Sequence, residues 1–449
     1  MNPLPLLHGF SPESVVAWRH GRAIVRRAFL SQVAALAARL PERRYVINSC
    51  EDRYLFLVGW AAAMVRGQIN LLPPSRTPHA LEQIAGDYPD VYCLVDQPGP
   101  TGPLGFFIYH GEDSVAQDAP MLCFPPEQCA AIAFTSGSTG RPTPHPKSWG
   151  SLVTSAQMAG GRFGFDARRP RAIVATVPPQ HMYGLETTIM LPIQFGCAVH
   201  SGRPFFPTDI ASALAGMPAP RVLVTTPVHL RACVAEAARF PALEFVLSAT
   251  APLSAELAHT AEARYQTQVL EIYGCTEAGS IASRRTASDS AWRVYDDMRV
   301  LQADGGHCVS GPQLAAAVPL NDVIIQHGAT EFTLIGRSAD LVNIAGKRIS
   351  LGDLNHKLTE IPGVIDGAFF MPEETEAQVT RLMAFVVAPA LSAERILTEL
   401  RRKVDAVFLP RPLCMVDALP RTESGKLPRE RLLQLASRAL GREDDRQTV

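Results

Sequence analysis

The chain of 449 residues is 47% hydrophobic and 19% charged, which excludes an intrinsically disordered protein and a single small module. Lysine and arginine number 42 against 43 aspartate and glutamate, for a net charge of −1, so bulk attraction to nucleic acid or to an anionic membrane is not expected. Nine cysteines without a CxxC pair favour reduced thiols in a cytoplasmic protein over disulfides or a zinc site. The longest apolar run, 54–65, is flanked by arginines and is too short to insert into a membrane.

The first hundred residues alternate between short apolar runs and amphipathic stretches. Strands are predicted over 45–49, 68–73 and 91–96, and helices over 53–66 and 77–84. Alternation of this kind predicts parallel βαβ units.

The same alternation continues through the middle of the chain. Further strands are predicted over 130–134, 172–177, 221–226, 243–249 and 269–274, and further helices over 229–238 and 254–265. The prediction is a large, layered α/β domain with parallel-rich sheets over 1–336.

A polar, turn-prone stretch changes the pattern after residue 336. Strands are then predicted over 341–344, 365–370 and 382–387, and helices over 351–359, 392–404 and 429–439. We therefore predict a hinge over 337–340 and a smaller α+β C-terminal domain over 341–449.

Glycines and hydroxyl-bearing residues follow the strand at 130–134, in the sequence FTSGSTG (134–140). Glycines let backbone amides approach an anion and hydroxyls add donors, so the segment suits a phosphate chain. It lacks the GK[ST] of a Walker A loop, and taken alone such a run is more often an ordinary loop. Lys147 follows and could screen a triphosphate, although a solvated lysine is the alternative.

A second polar segment, YGCTE (273–277), ends the strand predicted at 269–274. It offers an aromatic ring for stacking, a hydroxyl for a phosphate oxygen and a carboxylate for a divalent cation. As a lone pentapeptide it carries no specific signal.

Four motifs occur in a fixed order: FTSGSTG (134–140), YGCTE (273–277), GRSADLVNIAGKRISLGDL (336–354) and LPRTESGKLPR (419–429). In order and spacing they resemble the core motifs of the adenylate-forming superfamily, which includes acyl-CoA synthetases, aryl ligases and nonribosomal adenylation domains. The resemblance covers most of the chain. It implies the adenylate-forming enzyme fold with a mobile C-terminal domain, and an enzyme that uses ATP and Mg²⁺.

The resemblance implies two half-reactions: a carboxylate attacks ATP to give acyl-AMP and pyrophosphate, and a thiol then displaces AMP. By matching position, the β and γ phosphates would be held by Thr135, Ser136, Gly137, Ser138, Thr139 and Gly140. In the second motif, which includes Gly274, Tyr273 would stack on adenine, Thr276 would contact the α-phosphate and Glu277 would bind Mg²⁺.

The remaining nucleotide contacts are implied by three further segments. The backbone bordering adenine would come from Ala249, Thr250 and Ala251. Asp322 is the ribose candidate, and Arg337 would contact ribose or phosphate. Lys426 would reach the carboxylate and the α-phosphate, where its cation offsets developing charge.

The segment PPQHMYGLE (178–186) resembles the part of the family that borders the acyl pocket. A buried core histidine is an equal alternative to a role for His181 beside the substrate carboxylate. The predicted substrate pocket consists of His181, Tyr183, Gly184, Val246, Ser248 and Ile272. A channel for the pantetheine arm is predicted at Gly346, Lys347 and Arg348.

Two positions depart from the family pattern. The loop usually continues with Lys-Gly where this chain has Thr143 and Pro144, and the pivot position is Ala339. The short length, the TSGSTGxPxPHxK loop and the HMYGLE segment look most like the aryl or acyl:acyl-carrier-protein ligases of aryl polyene and xanthomonadin-type pigment pathways. Those enzymes load an aromatic acid, such as a hydroxybenzoic acid, onto a phosphopantetheine thiol.

Two alternatives stay open at this point. One is an acyl-CoA or aryl-CoA ligase that uses free coenzyme A. The other is a non-catalytic relative that only holds nucleotide, although the presence of Glu277, Arg337 and Lys426 together argues against it. Nucleic-acid binding lacks a basic stripe with interleaved aromatic residues.

Overall fold

The structure is a computed structural model that describes residues 2–73, 78–98, 105–111, 119–136, 142–303, 306–337, 341–344, 347–372, 382–422 and 425–444. None of the helices in these ranges is long and apolar enough to cross a bilayer. The nine cysteines are all free thiols.

The N-terminal part, up to residue 136, mixes short strands with three helices. Its elements are β1 (Leu4–Pro5), β2 (Val15–Arg19), β3 (Arg22–Val25), α1 (Arg26–Ala37), β4 (Tyr45–Asn48), α2 (Arg53–Val65), β5 (Ile69–Leu72), α3 (Pro78–Asp87), β6 (Val91–Val95), β7 (Phe106–Ile108), β8 (Cys123–Phe124) and β9 (Cys129–Ser136). Helix α2 begins at Asp52, whose carboxylate accepts hydrogen bonds from the amides of Tyr54 and Leu55 at 2.9 and 3.1 Å. Such an N-cap satisfies amides that have no partner within the helix.

The middle of the chain alternates strands and helices as predicted. Its elements are β10 (Pro142–Ser148), α4 (Trp149–Arg162), β11 (Ala172–Ala175), α5 (Met182–Leu185), a π-helical turn (Glu186–Met190), α6 (Leu191–Gln194), β12 (Ala198–His200), α7 (Pro207–Ala215), β13 (Arg221–Thr225), α8 (Pro227–Ala235), β14 (Phe245–Ser248), α9 (Ala255–Tyr265) and β15 (Gln268–Cys275). The predicted strands and helices of this part are confirmed, but β10, α4, the helical segment at 182–194, β12 and α7 were not predicted.

The chain between β15 and the predicted hinge consists of strands. These are β16 (Gly279–Arg284), β17 (Trp292–Val294), β18 (Arg299–Ala303), β19 (Gly306–Ser310), β20 (Val318–Leu320), β21 (Asp322–Gln326) and β22 (Glu331–Arg337). Strands β18 to β20 form a small antiparallel sheet of their own.

The C-terminal part is α+β, as predicted. Its elements are β23 (Leu341–Ile344), β24 (Lys347–Ser350), α10 (Leu351–Thr359), β25 (Asp366–Phe370), β26 (Met383–Val387), α11 (Ala393–Lys403), a 3-10 turn (Ala406–Phe408), β27 (Leu413–Met415) and α12 (Arg429–Asp444). Helices α10 and α11 share one core with β26, whereas α12 packs with Phe370 and Phe385 on the other side of the sheet. Residues 338–340 of the predicted hinge (337–340) lie outside the described residues, so the domain boundary stays a prediction.

Two large sheets organise the rest. A six-stranded sheet has the order β10-β9-β5-β4-β6-β7 and is parallel except for the pair β10–β9. An eleven-stranded sheet has the order β21-β22-β17-β16-β15-β14-β13-β11-β12-β2-β3, parallel from β15 to β2 and antiparallel at both ends. The prediction of parallel-rich layered sheets is therefore confirmed.

Helices fill the space between the two sheets and cover their outer faces. Helix α2 is buried over twelve of its thirteen residues and shares one core with Val46 of the smaller sheet and Leu247 of the larger one. A helix that is apolar on every side belongs in such an interior layer. Val246, the neighbour of Leu247, lies instead in the core formed with α7, α8 and α9, because successive strand residues point to opposite faces.

His229, near the start of α8, has a buried imidazole ring. The residue is 7% exposed, and its Nδ1 lies 2.9 Å from Thr226 Oγ1. Burial, with a smaller effect of Arg203, lowers the pKa of His229 to about 4. The ring is therefore neutral in the folded protein at neutral pH.

This buried ring predicts a loss of stability in mild acid. An unfolded histidine titrates near 6.5, so the unfolded chain binds more protons than the folded one between about pH 6.5 and 4. Above about pH 7, His229 should not affect the free energy of unfolding. Between pH 7.5 and 5.0, we expect its protonation in the unfolded chain to lower the free energy of unfolding by about 2 kcal/mol. Urea denaturation of the protein and of His229→Gln at both pH values measures the difference. His327→Gln, at an exposed histidine, is the control, and an unchanged pH dependence in His229→Gln would contradict the prediction.

Candidate active site

The predicted nucleotide residues lie at one edge of the large sheet. Strands β13, β14 and β15 are parallel, and the chain leaves their carboxyl ends at residues 225, 248 and 275. In open α/β sheets, ligands bind in the crevice outside these ends. The YGCTE segment leaves β15 at this edge, and its last residue, Glu277, approaches β10 of the smaller sheet.

The two sheets meet through Thr135, His145 and Glu277. Thr135, the first hydroxyl of the predicted phosphate loop, lies at the end of β9, and its Oγ1 is 3.0 Å from His145 Nε2. The same Nε2 is 3.8 Å from Glu277 Oε1. Burial lowers the pKa of His145, while Glu277 opposes this effect and Lys147 adds to it. The structure thus brings the predicted phosphate and metal residues together around a histidine for which the sequence predicted no role.

Lys147 lies on β10 and contacts the turn that carries the predicted metal residue. Strand β10 pairs with β9 so that Lys147 lies opposite Ala131, four residues or about 13 Å before Thr135 along β9. Its Nζ donates a 2.6 Å hydrogen bond to the carbonyl oxygen of Glu277. Burial lowers the pKa of Lys147, and nearby carboxylates, chiefly Glu186, oppose the shift. The lysine therefore holds the turn after β15. Residues 137–140 of the phosphate loop lie outside the described part of the chain, so the place of Lys147 beside that loop stays a prediction.

Glu186 holds the other end of the same turn. Its buried carboxylate accepts hydrogen bonds from Ser155 Oγ at 2.9 Å, from the amide of Ser280 at 3.0 Å and from Ser280 Oγ at 2.6 Å. Gly279 has φ +76°, and a Cβ there would collide with the Glu186 carboxylate. Glycine is thus required twice, for the left-handed backbone and for the close approach.

Tyr273 and Asp322 are in direct contact. The Tyr273 hydroxyl donates a 2.6 Å hydrogen bond to Asp322 Oδ2, and its ring packs against Trp292 and Phe332 at centroid distances of 5.5 and 5.4 Å. Asp322 is paired with Arg337 across the β21–β22 hairpin, so their spacing in the sequence makes them neighbours in space. Tyr273 and Asp322, the residues predicted to contact adenine and ribose, therefore lie side by side at this edge of the sheet.

The segment after β14 has an unusual backbone. Thr250 has φ +80°, a conformation that side chains other than glycine rarely adopt, and its Oγ1 is buried without a hydrogen-bond partner in the described part of the chain. Ala249 is buried and Ala251 is half-buried. Strain of this kind is common where a protein surrounds a ligand, and the segment lies where the sequence placed the adenine.

The predicted acyl pocket includes two residues of the core between the sheets, Tyr183 and Ile272. Both pack on the core between the two sheets. The Tyr183 hydroxyl donates to the carbonyl oxygens of Thr225 and Leu247 at 3.1 and 3.0 Å, and burial raises its pKa. Its hydroxyl is thus bound to the sheet edge, and its ring is the part that can border a substrate.

Other members of the predicted pocket lie elsewhere. Val246 faces the outer core with α7 to α9, so its assignment to the pocket is wrong, and alternation along β14 directs Ser248 to that same face. Gly184 packs so closely that a Cβ would collide with the carbonyl oxygen of Pro178. His181 is half-buried at the N-terminus of α5.

Lys426 is carried by a closed loop of the C-terminal part. The amide of Thr422 donates to the Lys426 carbonyl at 2.7 Å, and Arg421 bonds both Asp366 oxygens at 2.6 and 2.7 Å. A Cβ on the adjacent Gly425 would lie 3.9 Å from Thr250 Oγ1. The loop that carries the exposed Lys426 is therefore held against the predicted adenine segment.

Several predicted site residues lie outside the described part of the chain. These are Gly137, Ser138, Thr139, Gly140 and Gly346, together with the side chains of Ser136, Arg337, Lys347 and Arg348. Of the other predicted residues, Gly274 is in β15 and Thr276 is half-buried in the turn beyond it.

The donor set suits a Mg²⁺ ion that enters with a nucleotide. In the described ranges no three or more His, Cys, Asp or Glu side chains are grouped to hold a metal by themselves. Mg²⁺ at nucleotide sites usually takes one or two protein carboxylates, because phosphate oxygens and water fill its remaining positions. Glu277, with the Thr135 hydroxyl nearby, fits that requirement.

These features define a nucleotide-dependent ligase built on two large β-sheets with flanking helices and a small C-terminal unit. Residues 23–310 match the AMP-binding enzyme family and residues 355–426 match the AMP-binding enzyme C-terminal domain. The chain belongs to the AMP-binding enzyme family. It is an acid–thiol ligase of the adenylate-forming type that uses ATP and Mg²⁺.

Curated relatives and solved structures agree with this assignment. A 4-coumarate–CoA ligase of Rhodobacter capsulatus is 30% identical over 318 residues, covering 70% of this chain and 79% of that protein. The o-succinylbenzoate CoA synthetase of Bacillus subtilis, bound to its acyl-adenylate, superposes with a TM-score of 0.80 at 16% identity over 94% of this chain and 96% of that one. ATP-bound MatB from Rhodopseudomonas palustris gives 0.79 at 19% identity, over 95% and 96% of the two chains. The solved structures establish the adenylate-forming fold.

Proposed function

We propose that this ligase activates an aromatic acid, such as a hydroxybenzoic acid, and transfers the acyl group to the phosphopantetheine thiol of an acyl carrier protein. The observation that carries the proposal is the convergence at one sheet edge of Thr135, Glu277, Asp322 and the Lys426 loop. These residues can meet the phosphates, the metal and the ribose of one bound ATP, and the reacting carboxylate of the acid beside it. Beside them, the ring of Tyr183 and the aliphatic Ile272 offer an apolar surface to an aromatic acid.

In the first step a carboxylate oxygen of the acid attacks the α-phosphorus of ATP, and the bond to pyrophosphate breaks. The protein contributes mainly positioning and charge stabilisation. Lys426 neutralises charge that builds up between the carboxylate and the α-phosphate. Thr135 and Thr276 bind phosphate oxygens, and Asp322 accepts from the ribose hydroxyls. Glu277 would hold Mg²⁺, which when bound would supply positive charge to offset that of the phosphates.

In the second step the thiol sulfur attacks the acyl carbon and AMP leaves with the electron pair of the acyl–oxygen bond. Gly346, Lys347 and Arg348 are proposed to border the pantetheine arm. The carrier protein is supported by the resemblance of the TSGSTGxPxPHxK and HMYGLE segments to carrier-protein ligases. Free coenzyme A is the second candidate acceptor, because a relative at 30% identity is named a 4-coumarate–CoA ligase.

The first experiment measures acid-dependent pyrophosphate release with ATP and Mg²⁺ across benzoic, hydroxybenzoic, cinnamic and medium-chain fatty acids. Hydroxylamine is included to trap the adenylate. We expect a signal with aromatic acids and none without acid. Release only with fatty acids would overturn the aromatic assignment, and silence with every acid despite ATP binding would favour the non-catalytic alternative.

The acceptor is tested next with the best acid. Equal concentrations of coenzyme A and of a phosphopantetheinylated carrier protein are compared, and thioester formation is followed by mass spectrometry. The proposal expects a higher kcat/KM with the carrier protein. A higher value with coenzyme A would reassign the protein as an aryl-CoA ligase.

A further inference from the structure

Strand β10 directs two basic side chains onto one acidic turn. His145 and Lys147 are two residues apart and so point to the same face of the strand. His145 Nε2 lies 3.8 Å from the Glu277 carboxylate, and Lys147 Nζ donates a 2.6 Å hydrogen bond to the Glu277 carbonyl. Glu277 is thus bonded through its backbone by Lys147, and its carboxylate lies beside the His145 imidazole.

The histidine also connects Glu277 to the phosphate loop. His145 Nε2 is within hydrogen-bond distance, 3.0 Å, of Thr135 Oγ1. His145 lies opposite Ala133 in the strand register, so Thr135 is its diagonal neighbour, within reach of a long side chain. A shift of the imidazole would therefore move the threonine hydroxyl and the carboxylate relative to each other.

The lysine contact is buried and has an anionic counterpart. Lys147 is 8% exposed and Glu186 is 6% exposed. Glu186 binds the amide and hydroxyl of Ser280, three residues beyond Glu277. Hydrogen bonds to charged groups in a low-dielectric interior are strong and directional, so the turn 277–280 is fixed from both ends.

We propose that His145 and Lys147 are positioning residues that hold the Glu277 carboxylate where it meets the metal carried by ATP. This inference rests on the proposed function, in which Glu277 binds Mg²⁺. Lys147 fixes the backbone of the turn, and His145 sets the direction of the carboxylate relative to Thr135. Neither residue needs to touch the acid.

The test measures metal-dependent nucleotide binding without any acid. Isothermal titration calorimetry gives the Kd of α,β-methylene-ATP with excess Mg²⁺ and with EDTA, and the ratio of the two is the gain due to metal. We expect His145→Leu and Lys147→Met to reduce this gain about tenfold while changing the Kd in EDTA less than about twofold. His145→Gln, whose amide can replace Nε2 as a hydrogen-bonding group, should recover most of the gain.

Matched controls are available on the surface of the same chain. His327 lies 2.7 Å from Thr333 Oγ1, and Lys403 is paired with Glu360 at 3.0 Å, so His327→Leu and Lys403→Met remove similar contacts far from Glu277. Should Lys147→Met fail to fold because Glu186 loses its counter-charge, Lys147→Met/Glu186→Gln removes both charges and replaces it.

The outcomes separate this inference from the proposed function. A metal-dependent gain that is unchanged in the His145 and Lys147 variants would overturn the positioning role and leave the ligase assignment intact. Equal losses in Mg²⁺ and in EDTA would also overturn it, since they indicate general damage to the site. Absence of nucleotide binding by the unaltered protein would instead count against the proposed function.

Discussion

Replacing Lys426 by alanine should slow acyl-adenylate formation by about 100- to 1,000-fold, the usual loss when one preorganised charge or donor of a transition state is removed. Thioester formation from supplied acyl-AMP should be largely spared, because the charge between carboxylate and α-phosphate no longer develops in that step. Pyrophosphate release measures the first reaction, and single-turnover thioester formation from synthetic acyl-AMP measures the second.

Lys426→Ala should remove the charge without disturbing the fold. Lys426 is exposed, and its loop is closed by Arg421, Asp366 and backbone hydrogen bonds, so folding should not depend on the ammonium group. Lys357→Ala, which removes a surface lysine paired with Asp353 at 2.8 Å, is the control and should leave both steps unchanged. Equal loss of both steps in Lys426→Ala would contradict the assignment of Lys426 to the adenylation step alone.

Replacing Glu186 by alanine should reduce the free energy of unfolding by about 3–5 kcal/mol, the range for breaking a buried charged network by removing one partner. The change leaves the Ser280 amide and two hydroxyls without their buried acceptor, and it removes the carboxylate whose charge opposes the desolvation of Lys147. Urea denaturation at pH 7.5 measures the loss. Glu394→Ala, at an exposed position in the first turn of α11, should change the free energy by less than about 0.5 kcal/mol.

A second variant separates charge from packing. Glu186→Gln keeps the shape and part of the hydrogen bonding, so it should cost less than Glu186→Ala. Lys147→Met/Glu186→Gln should be more stable than the sum of the two single losses predicts, because residues of one buried network are not additive. Strict additivity would show that the two charges do not interact.

The sequence predicted local structure around the candidate nucleotide residues where short-range order alone was enough. The spacing of Asp322 and Arg337 corresponds to a β21–β22 hairpin that pairs them. The YGCTE segment ends a strand as expected. Such features depend on short stretches of chain, whose turn residues and apolar alternation carry the signal.

Strand β10 was missed for a physical reason. Three prolines, Pro142, Pro144 and Pro146, occupy alternate positions and read as a loop, because proline cannot donate to a sheet. On an edge strand, however, the backbone N–H positions of alternate residues point away from the neighbouring strand, so proline is tolerated there. Strand β10 is the edge strand of its sheet. Without this strand the sequence could not place His145 and Lys147 on one face or bring either to Glu277.

By itself, the sequence determined the family, the α/β alternation and the order of the motifs, because each of these depends on short stretches of consecutive residues. Only the tertiary structure decided that Val246 faces the core with α7 to α9. It also decided that Lys147 holds the backbone of Glu277, and that Glu186 holds Ser280. These contacts join residues about 90 to 130 positions apart, and the pairing of strands between two sheets, which sets them, leaves no signal in local composition.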